Sequence, residues 1–222
     1  MGPDLGILVF TLLTAAAATA LIVPLGLALG YALARGRGPW KVGVETVVTL
    51  PLVLPPTAVG LVLLRILSRQ SPVGRALEGA ELLFTWKAVV LASAVMAFPL
   101  FLRTVKTAFE EVDPRLVAIA RSLGKTPLQA FFRVVLPLAW RGVLAGTLLA
   151  FCRALGEFGA TILIAGNIPG RTQTLALAIF QRVELGHDED AFPLLAMTVA
   201  IAFFGILATE LLTRRRTRRT AA

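Results

Sequence analysis

Cysteine and histidine each occur once in this chain, and charge is scarce. The lone Cys152 excludes an intrachain disulfide and leaves the redox compartment unmarked. The lone His187 sits among Asp188, Glu189 and Asp190, a group that could touch a metal but that reads as a solvated loop. Charged residues make up 16% of the 222 and hydrophobic ones 57%, whereas roughly a quarter of a typical soluble domain is charged. A water-soluble chain of this length cannot bury so much apolar surface, and the apolar residues come in blocks too long for core helices. Composition therefore indicates a membrane protein.

The formal charge of +9 invites a nucleic-acid reading. The cations, however, sit at the ends of apolar blocks, where a membrane protein keeps its cytoplasmic anchors, so no nucleic-acid partner is expected. The N-terminus does not read as a cleavable signal. Its first charge is Asp4, and the apolar stretch from Leu5 to Leu33 exceeds the roughly 7–15 residues of a signal core.

Five segments, at about 5–33, 44–67, 84–102, 142–165 and 191–212, have the composition of membrane helices, each near the roughly 20 residues that cross about 30 Å of hydrocarbon. Residues 1–222 thus read as one transmembrane domain, all-α in fold class. Fifteen of the 22 cations collect on one side: Arg35, Arg37, Lys41, the seven from Arg103 to Arg141, and Arg214, Arg215, Arg216, Arg218 and Arg219. Arg65, Arg69, Arg75, Lys87, Arg171 and Arg182 fall on the other, and Arg153 lies within a span. An excess of cations inside places residues 103–141 and the C-terminus in the cytoplasm and the N-terminus outside. The basic tail reads as an anchor to anionic lipid.

Pro55, Pro56 and Thr57 follow Leu50-Pro51-Leu52-Val53-Leu54 in the second span. Prolines there remove backbone donors and leave carbonyls to be satisfied by neighbours, hydroxyls or water. The segment is either a kinked packing helix or a broken helix beside a substrate path. In the fourth span Arg153 and Glu157 are four residues apart, on one helical face, and pairing is the least costly way to hold both charges in lipid. The pair either fixes helix packing or offers Arg153 to a passing dianion while Glu157 neutralises it at rest. Gly142, Gly146, Gly156 and Gly159 leave narrow surfaces for close helix approach, including contact with a second copy of the chain. Between Asn167 and Asp190 a polar external connection is expected, and Asn167, Thr172, Gln173 and Thr174 either face a pore mouth or a binding protein or simply join two spans.

Residues 113–137 are the most informative. Asp113-Pro114 starts a helix as cap and first-turn proline, and Gly124 can end it in a left-handed turn. Thr126-Pro127-Leu128-Gln129 fits a capping box, and Leu128, Phe131, Phe132 and Val135 form an apolar stripe before Leu136-Pro137. The pattern gives two short helices about a glycine, held against the membrane face. Gly124-Lys125-Thr126 resembles the end of a phosphate-binding loop, but that motif needs a glycine where Ile119 stands, so this chain is not expected to bind ATP.

Ala120-Arg121-Ser122-Leu123-Gly124-Lys125, with Pro127 and then Val134-Val135-Leu136-Pro137, resembles the loop of bacterial ABC-importer permeases that forms coupling helices in a cleft of the ATPase subunit. By that resemblance Gly124 is the motif glycine and Ala120 its last alanine, while Val117 occupies the place of the family's glutamate. The likeness extends from about residue 10 to 212. Leu50 to Pro56, Phe151 to Ala160 and Gly166 to Thr172 are similar to molybdate permeases, with sulfate and tungstate permeases sharing the Gly-Glu-Phe-Gly segment.

The resemblance implies a type I ABC importer permease fold in a bacterial inner membrane. It also implies a homodimer, two cytoplasmic ATPase subunits carrying ATP and Mg, an external solute-binding protein, and no cofactor or catalytic site in this chain. An ion-coupled secondary transporter would show inverted repeats and buried acids, yet Glu157 is the only acid well inside a span. A membrane-embedded enzyme would need clustered histidine, aspartate or serine at bilayer depth, and the spans contain no histidine.

Overall fold

The structure is a computed structural model and describes residues 3–36 and 38–217. Arg37, Arg218, Arg219 and the side chains of Arg214, Arg215 and Arg216, which entered the charge argument, lie outside the described residues. The regular elements among the described residues are all helices, with no strand among them. Four helices are long and apolar enough to cross a membrane, or five crossings if one bent pair counts as a span.

Helix α1 (Pro3–Arg35) and α5 (Trp86–Glu110) pack along their length. The seam brings Ala15, Ala18 and Ile22 together with Val90, Ala94, Ala97 and Phe101, and the alanines let the two backbones approach. Helix α8 (Leu136–Leu155) lies on the other flank of α5, through Ala139, Ala150 and Ala154. Gly142 is required there: a Cβ would stand 2.4 Å from the Ala108 Cβ. Helix α11 (Asp188–Thr217) packs on α8 and on α10 (Leu175–Glu184).

The expected second span is two helices, α2 (Trp40–Val53) and α3 (Pro56–Leu67), bent by 115°. A residue before proline is driven from the helical to the extended region. Leu54 precedes Pro55 and has ψ 145°, and Pro55 precedes Pro56 and has ψ 135°. Two successive prolines therefore turn the chain, whereas the isolated Pro24, Pro51, Pro99 and Pro193 stay inside helices. After α3 come α4 (Pro72–Ala76), a 3₁₀ turn at Glu78–Ala80, and an irregular link to α5.

The expected fourth span, 142–165, is also divided. Helix α8 ends at Leu155, and α9 (Gly159–Ala165) begins after Phe158, whose φ −129° and ψ −56° are non-helical. Apolar residues resume on the far side of this break, so hydropathy reads the segment as one span. Nor is the external connection plain: α10 is a packed helix, with Leu175, Leu177 and Ala178 buried. Thr174 caps it by accepting from the Leu177 amide.

Candidate functional site

Helix α6 (Pro114–Ser122) and α7 (Pro127–Ala130) lie between α5 and α8, as expected. Asp113 accepts from the Arg115 amide at 2.8 Å and starts α6. Gly124 has φ +80°, and the Lys125 amide reaches back to the Ala120 carbonyl at 3.1 Å, closing the helix in a left-handed turn. The capping box is complete: the Gln129 amide donates to Thr126 Oγ1 at 3.2 Å, and the Thr126 amide donates to Gln129 Oε1 at 3.1 Å.

Pro137 does not end the second helix. Residues Phe131–Val135 form a π turn that carries α7 directly into α8, with the Leu136 amide donating to the Phe131 carbonyl. A proline lacks the donor that would bond to residue 133, and the wider turn accommodates that loss. Helices 127–155 therefore form one apolar rod of 29 residues, long and apolar enough to cross a membrane.

The pair presents a surface without a partner in this chain. Leu116, Ile119, Leu123, Leu128 and Phe132 are exposed, Leu123 to 74%. Arg121, Ser122, Gly124 and Pro127 are exposed beside them, Lys125 is half-buried, and Pro137 is exposed on α8. Ala120 is buried beneath. Val117 packs against the core cluster, so an apolar residue suits the place where the family has glutamate. Exposed leucines rimmed by cations have the character of a protein interface.

A second constellation lies where the two broken helices meet. Gly159 abuts Pro56, with a Cβ position 2.7 Å from the Pro56 Cβ, and Gly60 likewise abuts the Ala160 backbone. Pro55, Pro56 and Thr57 are exposed at this joint. Arg153 Nη1 pairs with Glu157 Oε2 at 2.8 Å. The two are not on one continuous helix: Arg153 ends α8, and Glu157 lies in the break and accepts from the Ala160 amide at 2.8 Å through Oε1. Glu157 is nearly sealed, with 1% of its side chain exposed, while 27% of Arg153 remains open. The carboxylate is thus held from both sides, and the guanidinium keeps one face free.

Asn167 and Thr172 build the loop between α9 and α10. Thr172 is fully buried; its hydroxyl accepts from the Ile168 amide at 3.0 Å and donates to the Gly166 carbonyl. Asn167 Nδ2 donates to Gln181 Oε1 at 3.3 Å, an oxygen shared with Gln173. Neither side chain is brought to the Arg153–Glu157 pair. Thr11 on α1 accepts from the Leu175 amide at 2.9 Å, and Arg182 pairs with Asp4, so α10 is fastened to the N-terminal end of α1.

Pattern reading did not find two features. One is a cavity of about 770 Å³ between the C-terminal end of α3, the segment before α5 and Ile168, where Arg65, Arg69 and Arg171 stand with Glu81. The other is an aromatic contact of Tyr31, Phe109 and Phe131, with Arg35 beside it. Both join residues far apart in the chain, and only the mixture of aromatic and basic residues at span ends hinted at them. The described residues hold no group of three or more metal-ligating side chains.

Residues 7–219 match the family of binding-protein-dependent transport system inner membrane components. The molybdenum transport system permease protein ModB of Escherichia coli is 40% identical over 196 residues, 86% of this chain and 86% of that protein. The protein of the same name from Haemophilus influenzae is 39% identical over 197 residues, 87% and 86% of the two chains. Among solved structures, the MetNI methionine ABC transporter superposes with a TM-score of 0.70 at 20% identity, covering 97% of this chain and 98% of that one. That likeness concerns the fold, a type I ABC importer permease.

Proposed function

Because this chain belongs to the family of binding-protein-dependent transport system inner membrane components, we propose that it forms the translocation path of an ATP-driven molybdate importer in a bacterial inner membrane. The reading takes its substrate from relatives named for molybdenum transport. The working unit is a homodimer with a central path between the two copies. Two cytoplasmic ATPase subunits grip α6 and α7, and an external solute-binding protein delivers the anion. The N-terminus lies outside and the C-terminus in the cytoplasm. This chain binds no cofactor and performs no chemistry; ATP and Mg are held by the ATPase.

The observation that carries the reading is the exposed apolar pair α6–α7, continuous through the π turn with a membrane-crossing helix. Force applied to Leu123 or Leu128 has a rigid route into lipid depth. Closure of the ATPases moves the pair and rocks the helices between outward and inward access. Arg153, with one face open, supplies positive potential to a dianion on the path, and Glu157 neutralises it at rest. Arg65, Arg69 and Arg171 at the outer cavity suit the same charge. Pro55, Pro56 and Thr57 loosen the backbone beside the path.

The test is uptake into proteoliposomes holding permease, ATPase and binding protein, with labelled molybdate and excess tungstate or sulfate as competitors. ATP-dependent molybdate accumulation is expected. Accumulation of sulfate with molybdate excluded moves the assignment to a sulfate permease, and uptake that follows an ion gradient without ATP ends the importer reading.

A further inference from the structure

The inner ends of α1 and α5 meet the π turn in a triangle of rings. Tyr31 lies 5.9 Å from Phe109 and 4.9 Å from Phe131, and Phe109 lies 5.7 Å from Phe131, all edge to face. Phe109 is fully buried, and Phe132 extends the cluster from Phe131 toward the exposed surface at 5.1 Å. One helical turn beyond Tyr31, Arg35 donates through Nη2 to the Val112 carbonyl at 2.6 Å and to the Phe109 carbonyl at 3.2 Å. Phe109 lies in the last turn of α5 and Val112 two residues past its end, a helix C-terminus that carries partial negative charge. The next residue, Asp113, caps α6.

The chain itself connects α6 to α5 and α7 to α8, but it gives α1 no covalent link to the pair. Side chains supply that link. The π turn matters here, because its extra residue rotates Phe131 by about 100° relative to an uninterrupted α-helix. That rotation aims the ring at Tyr31 and Phe109. Arg35 Nε is buried without an acceptor among the described residues, so it is Nη2 that fastens the guanidinium.

We infer that Arg35, Tyr31, Phe109 and Phe131 form a coupling latch: positioning residues that make α1 move as one body with α6 and α7 when the ATPase displaces them. The inference rests on the reading of α6–α7 as the ATPase-docking pair. Without the latch, the pair still binds the ATPase, but its displacement is spent on local motion of α5 and α8, and the outer end of α1, tied to α10 by Asp4 and Arg182, does not follow.

The experiment uses the complete transporter in proteoliposomes, with ATP hydrolysis and oxyanion uptake measured on the same vesicles. Arg35→Gln removes the charge-assisted bonds, and uptake per ATP hydrolysed is expected to fall about tenfold while the ATPase still copurifies in full. Arg35→Lys keeps a charge but loses the planar fork, so a fall of roughly twofold to threefold is expected. Tyr31→Leu is expected to lower the ratio, and Tyr31→Phe, which keeps the ring, to leave it unchanged.

A wild-type ratio in Arg35→Gln and Tyr31→Leu overturns the latch. So does a parallel loss of hydrolysis and uptake, which marks these residues as structural only. If Arg35→Gln does not fold, Arg35→Lys and Tyr31→Leu carry the same decision. Leu123→Asp separates the underlying reading: continued copurification of the ATPase with that variant removes the docking assignment itself. Loss of copurification in Leu123→Asp, together with wild-type ratios in the latch variants, removes the latch alone.

Discussion

The body formed by α1, α5 and α8 and the limb formed by α2 are built in opposite ways. Helix α5 has a long row of buried residues, from Ala88 to Phe109. Helix α2 has none, and Lys106 on α5 reaches it through Glu45 at 2.6 Å. The body is closed by small residues and rings, and α2 touches it through that ion pair; α3, by contrast, is packed, with Val59 buried beside Ala88, Val89 and Met96 of α5 and Ala160 and Ile164 of α9. Packed cores switch between discrete arrangements as units, whereas an element without buried contacts can shift at little cost. The body is therefore suited to carry a stroke and the limb to yield to it.

Emptying the body breaks this comparison most severely. Phe109→Ala removes a fully buried ring at the centre of the aromatic triangle and is expected to cost about 3–5 kcal/mol, read as loss of monodisperse protein on mild heating in detergent. Glu157→Ala follows, at about 3 kcal/mol, because it strands Arg153 and the Ala160 amide together; Glu157→Gln, which still accepts from that amide, is expected to lose about half as much. Gly142→Val crowds the α5–α8 seam against Ala108, and a loss of about 1–3 kcal/mol is expected. Glu45→Gln is expected to change thermal stability by less than about 1 kcal/mol yet increase deuterium exchange in 40–53, sharpening the contrast between limb and body. An equal loss of stability from Glu45→Gln and Phe109→Ala would erase the distinction.

Arg153→Gln tests the joint rather than either region. Folded protein with reduced oxyanion uptake is expected. Unchanged uptake assigns Arg153 to packing alone.

Much of this organisation is legible in the residues. Long apolar runs mark the crossings, and Asp113, Gly124 and the Thr126–Gln129 box mark the inner pair because capping is a local property of a few side chains. Three features are not local. The break at Gly156 lies inside a run that stays apolar on both sides, so nothing in hydropathy marks it. The π turn is set by Pro137 together with the packing of Phe131, and a proline after an apolar stripe reads equally well as a helix end. Asn167 and Thr172 are polar residues in a connection, and only the folded loop turns Thr172 inward to hold Gly166 and Ile168. The Arg153–Glu157 pair was legible by spacing, but its setting across a break, with Glu157 capping α9, was not.

The central claim is that α6 and α7 receive the ATPase's motion and pass it into the membrane. Its most direct measurement is ATP-dependent molybdate uptake by vesicles carrying Leu123→Asp with Leu128→Asp, two exposed positions whose change leaves the core untouched. Folded permease that no longer retains the ATPase and accumulates no molybdate is the expected result. Wild-type uptake by that double variant would contradict the account.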